Sequence, residues 1–266
     1  MLRYLLVDFY RMITAWQFWC GSLGVGVTLT FSGLQAGRIA DAYSAYLYNG
    51  MFSTYILCFA FCALSFSGCF VEDGEYGYWN LVVQKGGLSK YVWSKICTCF
   101  ISGIATMVLG MIIFLILLSL KVPLYMDYSW LVYERPEDTF GFLIYEDTIV
   151  LYFICSALKS GMLGGLFAVL SAFLTLFERN RLFTISVPIV GYYFIENTVS
   201  NILRLPDICN IWLIYSAGYS LFHDTIKDIV YAILAAGLVI ITIEYFVERK
   251  LRREILDEKS MAGNKK

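Results

Sequence analysis

Charged side chains are scarce in this sequence. Only 15% of its 266 residues are Asp, Glu, Lys or Arg, whereas 59% are hydrophobic. A typical soluble domain carries about 25% charged and about 45–50% apolar residues. Too few polar side chains are present to cover a water-soluble fold of this length, which excludes water as the main solvent around the folded chain.

An excess of positive charge is also lacking. The formal net charge is -1 and the isoelectric point is about 5.9. Binding to nucleic acid depends on a basic surface that releases counterions from the phosphate backbone. We therefore expect no nucleic-acid partner.

Motifs for catalysis and metal binding are missing as well. His223 is the only histidine, and no H-E-x-x-H or G-x-x-x-x-G-K-[ST] sequence occurs. The chain therefore has no zinc-protease motif and no phosphate-binding loop for ATP, and we predict no catalytic residue, metal or cofactor in it. The eight cysteines lack the paired spacing of disulfide or zinc sites, and we interpret them as small apolar residues within the fold.

Long apolar stretches dominate what is present. About 20 apolar residues are needed for a helix to cross the hydrocarbon of a bilayer, where only helices and closed barrels satisfy their backbone groups. The pattern predicts an all-α polytopic membrane protein with six transmembrane helices in a single domain, 1–266. The predicted spans are 16–34, 51–70, 96–120, 160–177, 182–202 and 229–246.

The fourth and fifth spans contain polar residues. We place Lys159 near the outer interface, where its side chain could extend to water, with 149–158 as an interfacial or extending segment. The fifth span carries Pro188, which permits a kink, and Glu196. An acid at this depth is a functional candidate, either facing a translocation path or capping a break in the span.

The distribution of Lys and Arg predicts the orientation. Most of the 20 basic residues fall in segments that face the cytoplasm if the N-terminus does. Cytoplasmic loops carry the basic excess in membrane proteins. We therefore predict a bacterial-type plasma-membrane protein with both termini in the cytoplasm, an external loop at 121–148 and a cytoplasmic tail at 247–266.

Two other segments have recognisable patterns. Residues 1–15 alternate apolar and charged side chains at helical spacing, which predicts an elbow helix in the membrane interface; a frayed extension of the first span is the alternative. In the loop 71–95, acids come first and lysines last, around a short amphipathic stretch that Gly86 and Gly87 can end. Ser89 can cap the helix that follows.

The loop 71–95 carries more aromatic and apolar surface than a solvated turn needs. Such surface indicates a docking site, with a plain solvated turn as the alternative. The candidate docking residues are Glu72, Asp73, Glu75, Tyr76, Tyr78, Trp79, Leu81, Val82 and Lys85.

The order of these features resembles the type-2 ABC transporter permeases. The residues that carry the resemblance are Glu72, Gly77, Ser89, Tyr91, Ser94 and Lys95. It extends over the whole chain: an elbow helix, six spans, a large loop after the third span and an apolar segment between the fifth and sixth. The loop order and lengths carry the resemblance more than any single motif.

The resemblance implies a function and partners. The stretch 72–86 would be a cytoplasmic coupling helix that docks on a separate ATPase subunit, with the acids contacting that subunit or bracing the helix. The segment 203–228 would be re-entrant. ATP and Mg would be held by two ATPase copies, and a second permease copy or a paralogue would complete the transporter. The chain would then be an exporter subunit rather than an enzyme, with an undetermined substrate.

Two other functions stay open. One is a membrane-embedded enzyme, either an intramembrane protease or a lipid-modifying enzyme, that would use Glu196 or His223. The other is a structural membrane protein that recruits partners. The glycines of the spans, such as Gly103, Gly110 and Gly165, favour close helix packing, with a dimer contact or a substrate-lining role as the alternative.

Overall fold

A computed structural model describes residues 2–35, 41–51, 54–76, 87–126, 138–144, 147–178, 180–194 and 206–263. Every regular element in these ranges is helical, which confirms the all-α prediction. The helices are α1 (Leu2–Thr14), α2 (Trp16–Gln35), α3 (Ala42–Met51), α4 (Thr54–Leu64), α5 (Cys69–Glu75), α6 (Leu88–Ser119), α7 (Ile149–Leu174), α8 (Arg181–Phe194), α9 (Ile211–Tyr215) and α10 (Thr225–Gly263), with short 3-10 turns at Gly141–Leu143 and Asp207–Cys209.

Within the described ranges, four helical stretches are long and apolar enough to cross a membrane. They are Tyr55–Glu75, Leu88–Ser119, Ile149–Leu174 and Thr225–Ile255, and they are compatible with a multi-pass membrane protein. The other two predicted spans stay predictions. Helix α2 has the length but is diluted by Gly, Gln and Thr, and α8 ends after 14 residues, where the described part of the chain stops.

The long helices run up and down between two ends of a bundle. We call the end that holds α1, α5 and the start of α6 the α1 end, and the end that holds α3 and α9 the opposite end. Helix α6 is central and packs against α1, α2, α4, α7 and α10. A core cluster of buried aromatic and aliphatic side chains lies toward each end.

Glycine allows the central helices to approach closely. A Cβ atom added at Gly103 of α6 would lie 2.6 Å from the Cα atom of Gly165 of α7. One added at Gly21 of α2 would lie 2.8 Å from the carbonyl oxygen of Phe61 of α4. These helices touch backbone to backbone, so the packing interpretation of the glycines is confirmed.

Helix α7 differs from the predicted fourth span. It begins at Ile149, so residues 149–158 extend the helix, which is one of the two possibilities that the sequence left open; these residues are apolar and contain no helix breaker. Lys159 therefore lies inside the helix and is 3% exposed. Its ammonium group finds its partners within the protein instead of extending to water, and its position relative to the membrane interface stays a prediction.

Helix α10 continues well beyond the predicted sixth span. It is 39 residues long and runs through most of the tail 247–266. Pairs of opposite charge one turn apart, Lys250 with Glu254 at 3.2 Å and Arg252 with Glu248 at 2.7 Å, support the helix there.

The segment between α8 and α10 folds back onto the bundle. Its only helix in the described residues 206–224, α9, has 5 residues, too few to cross a bilayer. Ile214 and Tyr215 are buried in the core, and the ring of Trp212 meets the ring of Tyr55 of α4 at 5.5 Å.

The eight cysteines are all free and differ in exposure, with Cys97 and Cys155 partly buried. Cys58, Cys62, Cys69 and Cys99 are buried, in agreement with their interpretation as small apolar residues, and the last two sulfur atoms lie 3.5 Å apart. Cys20 and Cys209 are exposed, which that interpretation did not predict.

Candidate functional site

Three helices bring charged side chains together at the α1 end. Asp8 and Arg11 lie one turn apart on α1, Asp73 lies near the end of α5, and Lys95 lies two turns into α6. Spacing of three residues along a helix puts Asp8 and Arg11 on one face, which α1 turns toward α6. We call this group, with Glu72, Tyr91 and Ser94, the charge network.

Lys95 is at the centre of the charge network. Its Nζ atom lies 2.7 Å from Oδ1 of Asp8 and 2.8 Å from Oδ2 of Asp73. The lysine side chain is 1% exposed. Taking an isolated charge out of water costs several kcal/mol, so a lysine here depends on its two carboxylates. This contact therefore joins α1, α5 and α6.

Both carboxylates have further partners. The hydroxyl of Tyr91 donates to Oδ2 of Asp73 at 2.7 Å, and Arg11 donates to Oδ1 of the same residue at 2.7 Å. Ser94 donates through Oγ to Oδ2 of Asp8 at 2.7 Å. Buried polar groups are stable when they are hydrogen-bonded in this way, and such contacts fix a single arrangement of the three helices.

Arg11 forms the solvent-facing edge of the charge network. Burial opposes its charged form, but the hydrogen bond and negative charge of Asp73 outweigh that effect and raise the pKa of the guanidinium above its ordinary value. On the outer side, Oε2 of Glu72 lies 3.5 Å from Nη2 of Arg11. Both residues line a cavity of about 300 Å³ beside the turn 65–68, which interrupts the helix between α4 and α5.

The predicted docking residues differ in their exposure to solvent. Asp73 is buried in the charge network and is not part of a solvated acidic cluster, whereas Glu75 and Tyr76 are exposed and Glu72 is partly exposed. Pro188 lies within α8, which continues through it to Phe194. The remaining candidates lie outside the described residues: Tyr78, Trp79, Leu81, Val82, Lys85 and Glu196.

Sequence reasoning missed the partners of Lys95. Asp8 was counted only as one of the charges of the elbow helix. A signal was present, because Asp8 follows Leu5 by three residues and precedes Met12 by four, and therefore lies on the apolar face of α1. An acid on that face indicates a buried basic partner.

A second group of buried charges lies at the opposite end. Nζ of Lys159 donates to Oγ1 of Thr139 at 2.7 Å and to the carbonyl oxygen of Tyr219 at 3.3 Å. Asp228 accepts from the backbone N–H of Phe222 at 3.1 Å, and Thr225 Oγ1 donates to the carbonyl of Thr139 at 2.7 Å. Asp138 accepts from the hydroxyl of Tyr152 at 3.1 Å. These contacts hold the segments 138–144 and 216–224 against α7 and α10.

Thr139→Val tests this second group. Valine keeps the size of threonine but removes the nearer of the two acceptors of the buried lysine, and a buried donor left without its partner costs about 1–3 kcal/mol. We therefore expect the free energy of unfolding of the purified protein in detergent to fall by that amount. Thr242→Val is the control, because it removes a hydroxyl from an exposed site of α10 and should change stability by less than about 0.5 kcal/mol. Equal effects of the two substitutions would contradict the role given to Thr139.

The described residues contain no group of three or more His, Cys, Asp or Glu side chains placed to hold a metal ion. Comparison with family models, with curated proteins and with solved structures found no match to this chain.

Proposed function

We propose that this chain is the permease subunit of an ATP-driven exporter. In this proposal it crosses a bacterial-type plasma membrane six times, with its elbow helix, both termini and the charge network on the cytoplasmic side. The loop order that resembles the type-2 ABC permeases supports the proposal, as do the four helices of membrane-spanning length.

The charge network is the observation that carries the proposal. Asp73 precedes the segment 77–86 and Lys95 follows it, and their side chains meet at 2.8 Å. Arg11 and Asp8 tie the elbow helix to the same pair. A load on this segment would therefore act on α5, α6 and α1 as one unit, which is the mechanical property that a coupling element needs.

ATP hydrolysis would take place in the partner. Two ATPase copies would bind ATP and Mg and would dock against the coupling loop, and a second permease copy or a paralogue would complete the transport pathway. Closure of the ATPase pair would push the two loops and switch the spans between inward and outward access. Tyr76 is 84% exposed where the chain leaves α5, so it lies at the edge of the proposed docking surface.

Photo-crosslinking from Tyr76 tests the proposed partner. With a photoreactive phenylalanine analogue in place of Tyr76, we expect irradiation of intact cells to give a crosslinked product that contains a P-loop ATPase, identified by mass spectrometry. The matched control places the same analogue at Phe142, a 62% exposed aromatic residue at the opposite end, where no ATPase should be captured. Absence of an ATPase from the Tyr76 product, or equal capture from both positions, would contradict the proposal.

The alternative function, a membrane-embedded enzyme, makes a different prediction. It needs activity that is lost on replacing Glu196 or His223 while the protein still inserts. His223 is exposed and has a positive φ of 52°, in a loop at the opposite end. No contact among the described residues favours this alternative over the permease.

A further inference from the structure

An aromatic cavity lies at the opposite end, between α3, α4, α7 and α9. Its volume is about 180 Å³. Drug-sized ligands occupy cavities of about 300–1,000 Å³, whereas a cavity of about 150 Å³ can hold benzene, so this space suits a small molecule. Five aromatic side chains line it: Tyr46, Tyr55, Phe59, Trp212 and Tyr215.

Two pairs of these rings stand at steep angles to one another. Tyr55 and Trp212 have centroids 5.5 Å apart and planes inclined by 73°, and Tyr46 and Tyr55 are 6.5 Å apart and inclined by 77°. Rings inclined in this way can form adjacent walls of a cavity. Tyr46, Tyr55 and Tyr215 are each less than a tenth exposed, whereas Trp212 is partly exposed, so Trp212 forms the wall nearest to solvent.

Negative charge lies directly behind one wall. Gly218 lines the cavity, and a Cβ atom added there would lie 3.7 Å from Oδ1 of Asp138. Asp138 belongs to the second buried group, in which Lys159 is accompanied by two acids, Asp138 and Asp228. Two carboxylates therefore accompany a single lysine in the group behind this wall, which carries more negative than positive charge.

We propose that this cavity binds a small organic cation of the quaternary-ammonium class. The negative faces of tyrosine and tryptophan rings attract such cations, and the attraction strengthens when water is excluded. The apolar methyl groups of the ligand fit aromatic walls, while its charge is favoured by the carboxylate of Asp138. A neutral ligand of the same shape would gain only the apolar contacts. This site does not depend on the permease proposal, because binding requires neither transport nor an ATPase.

Choline and its uncharged isostere dimethylbutanol, in which carbon replaces the nitrogen, separate charge from shape. We expect radiolabelled choline to bind the purified full-length protein saturably in a scintillation proximity assay. Dimethylbutanol should compete about tenfold more weakly or worse, since it lacks the cation–π attraction. Absence of saturable choline binding, or equal competition by the alcohol, would overturn the proposal without any variant being needed.

Two substitutions then locate the site. Trp212→Leu removes an aromatic wall and should weaken choline binding about tenfold, whereas Trp212→Phe keeps a ring and should retain most of it. Trp16→Leu is the matched control, since Trp16 is a 68% exposed tryptophan at the α1 end. Each variant is first required to keep the elution volume and thermal midpoint of the wild type. Choline binding that survives Trp212→Leu unchanged would place the ligand elsewhere and contradict the assignment.

Discussion

Lys95→Met is expected to lower the free energy of unfolding by about 3–5 kcal/mol, the cost of removing one partner from a buried ion pair. Methionine fills much of the volume of lysine, but Asp8 and Asp73 would keep their charges and lose the cation that lies 2.7 Å and 2.8 Å from them. Unfolding of the purified protein in detergent, followed by circular dichroism, measures the effect. We also expect less folded protein in the membrane fraction.

Lys90→Met is the control for this experiment. Lys90 lies on the same helix but is exposed, so its loss should change stability by less than about 0.5 kcal/mol. Adding Asp8→Asn to Lys95→Met should restore part of the stability, because the amide oxygen can still accept from Ser94 and no longer buries a charge. If Lys95→Met were as stable as Lys90→Met, the charge network would not hold the three helices together.

Gly103→Leu should destabilise the chain by about 3 kcal/mol, the upper part of the range for overpacked cores. The first atom of the new side chain would lie 2.6 Å from the Cα atom and 2.7 Å from the backbone nitrogen of Gly165. Backbone atoms cannot move aside as a flexible side chain does, so α6 and α7 would have to separate along their length. The same unfolding measurement and a thermal midpoint report the loss.

Gly237→Leu provides the comparison for the helix contact. A Cβ atom added at Gly237 of α10 meets nothing within 4 Å, so leucine has room there. Leucine is also a better helix former than glycine, by up to about 1 kcal/mol, so this variant should equal or exceed the wild type in stability. A Gly103→Leu protein as stable as Gly237→Leu would show that α6 and α7 do not pack backbone to backbone.

The helical bundle could be predicted because the pattern behind it is local. An uncharged apolar run of about 20 residues is enough to indicate a spanning helix, and glycines within such runs indicate close packing. Both expectations depend on neighbours in the sequence. The segment 149–158 was left open as interfacial or extending for a local reason too, because Lys159 was placed near the interface although its helix continues on both sides.

The charge network could not be predicted, because its members are far apart in the chain. Lys95 is separated by 22 positions from Asp73 and by 87 from Asp8, as their numbers show. A single sequence gives each residue type but does not say which distant helix faces it. Asp73 was therefore grouped with Glu72 and Glu75 as a surface acid. The aromatic cavity depends on the same kind of information, since Trp212 and Tyr55 meet only after α9 folds back.

Helix α10 is longer than a crossing of the membrane requires. Its 39 residues, at a rise of about 1.5 Å each, extend roughly 58 Å, about twice the thickness of the hydrocarbon layer of a bilayer. Val247 and Leu251 remain buried against the bundle, and Lys250 lies 5.1 Å from the ring of Phe177. If α10 crosses the membrane as proposed, its last turns extend beyond the bilayer as a charged helix beside the docking surface. A partner at that surface would then contact the end of α10. Shortening α10 by whole turns would change how closely that partner can approach.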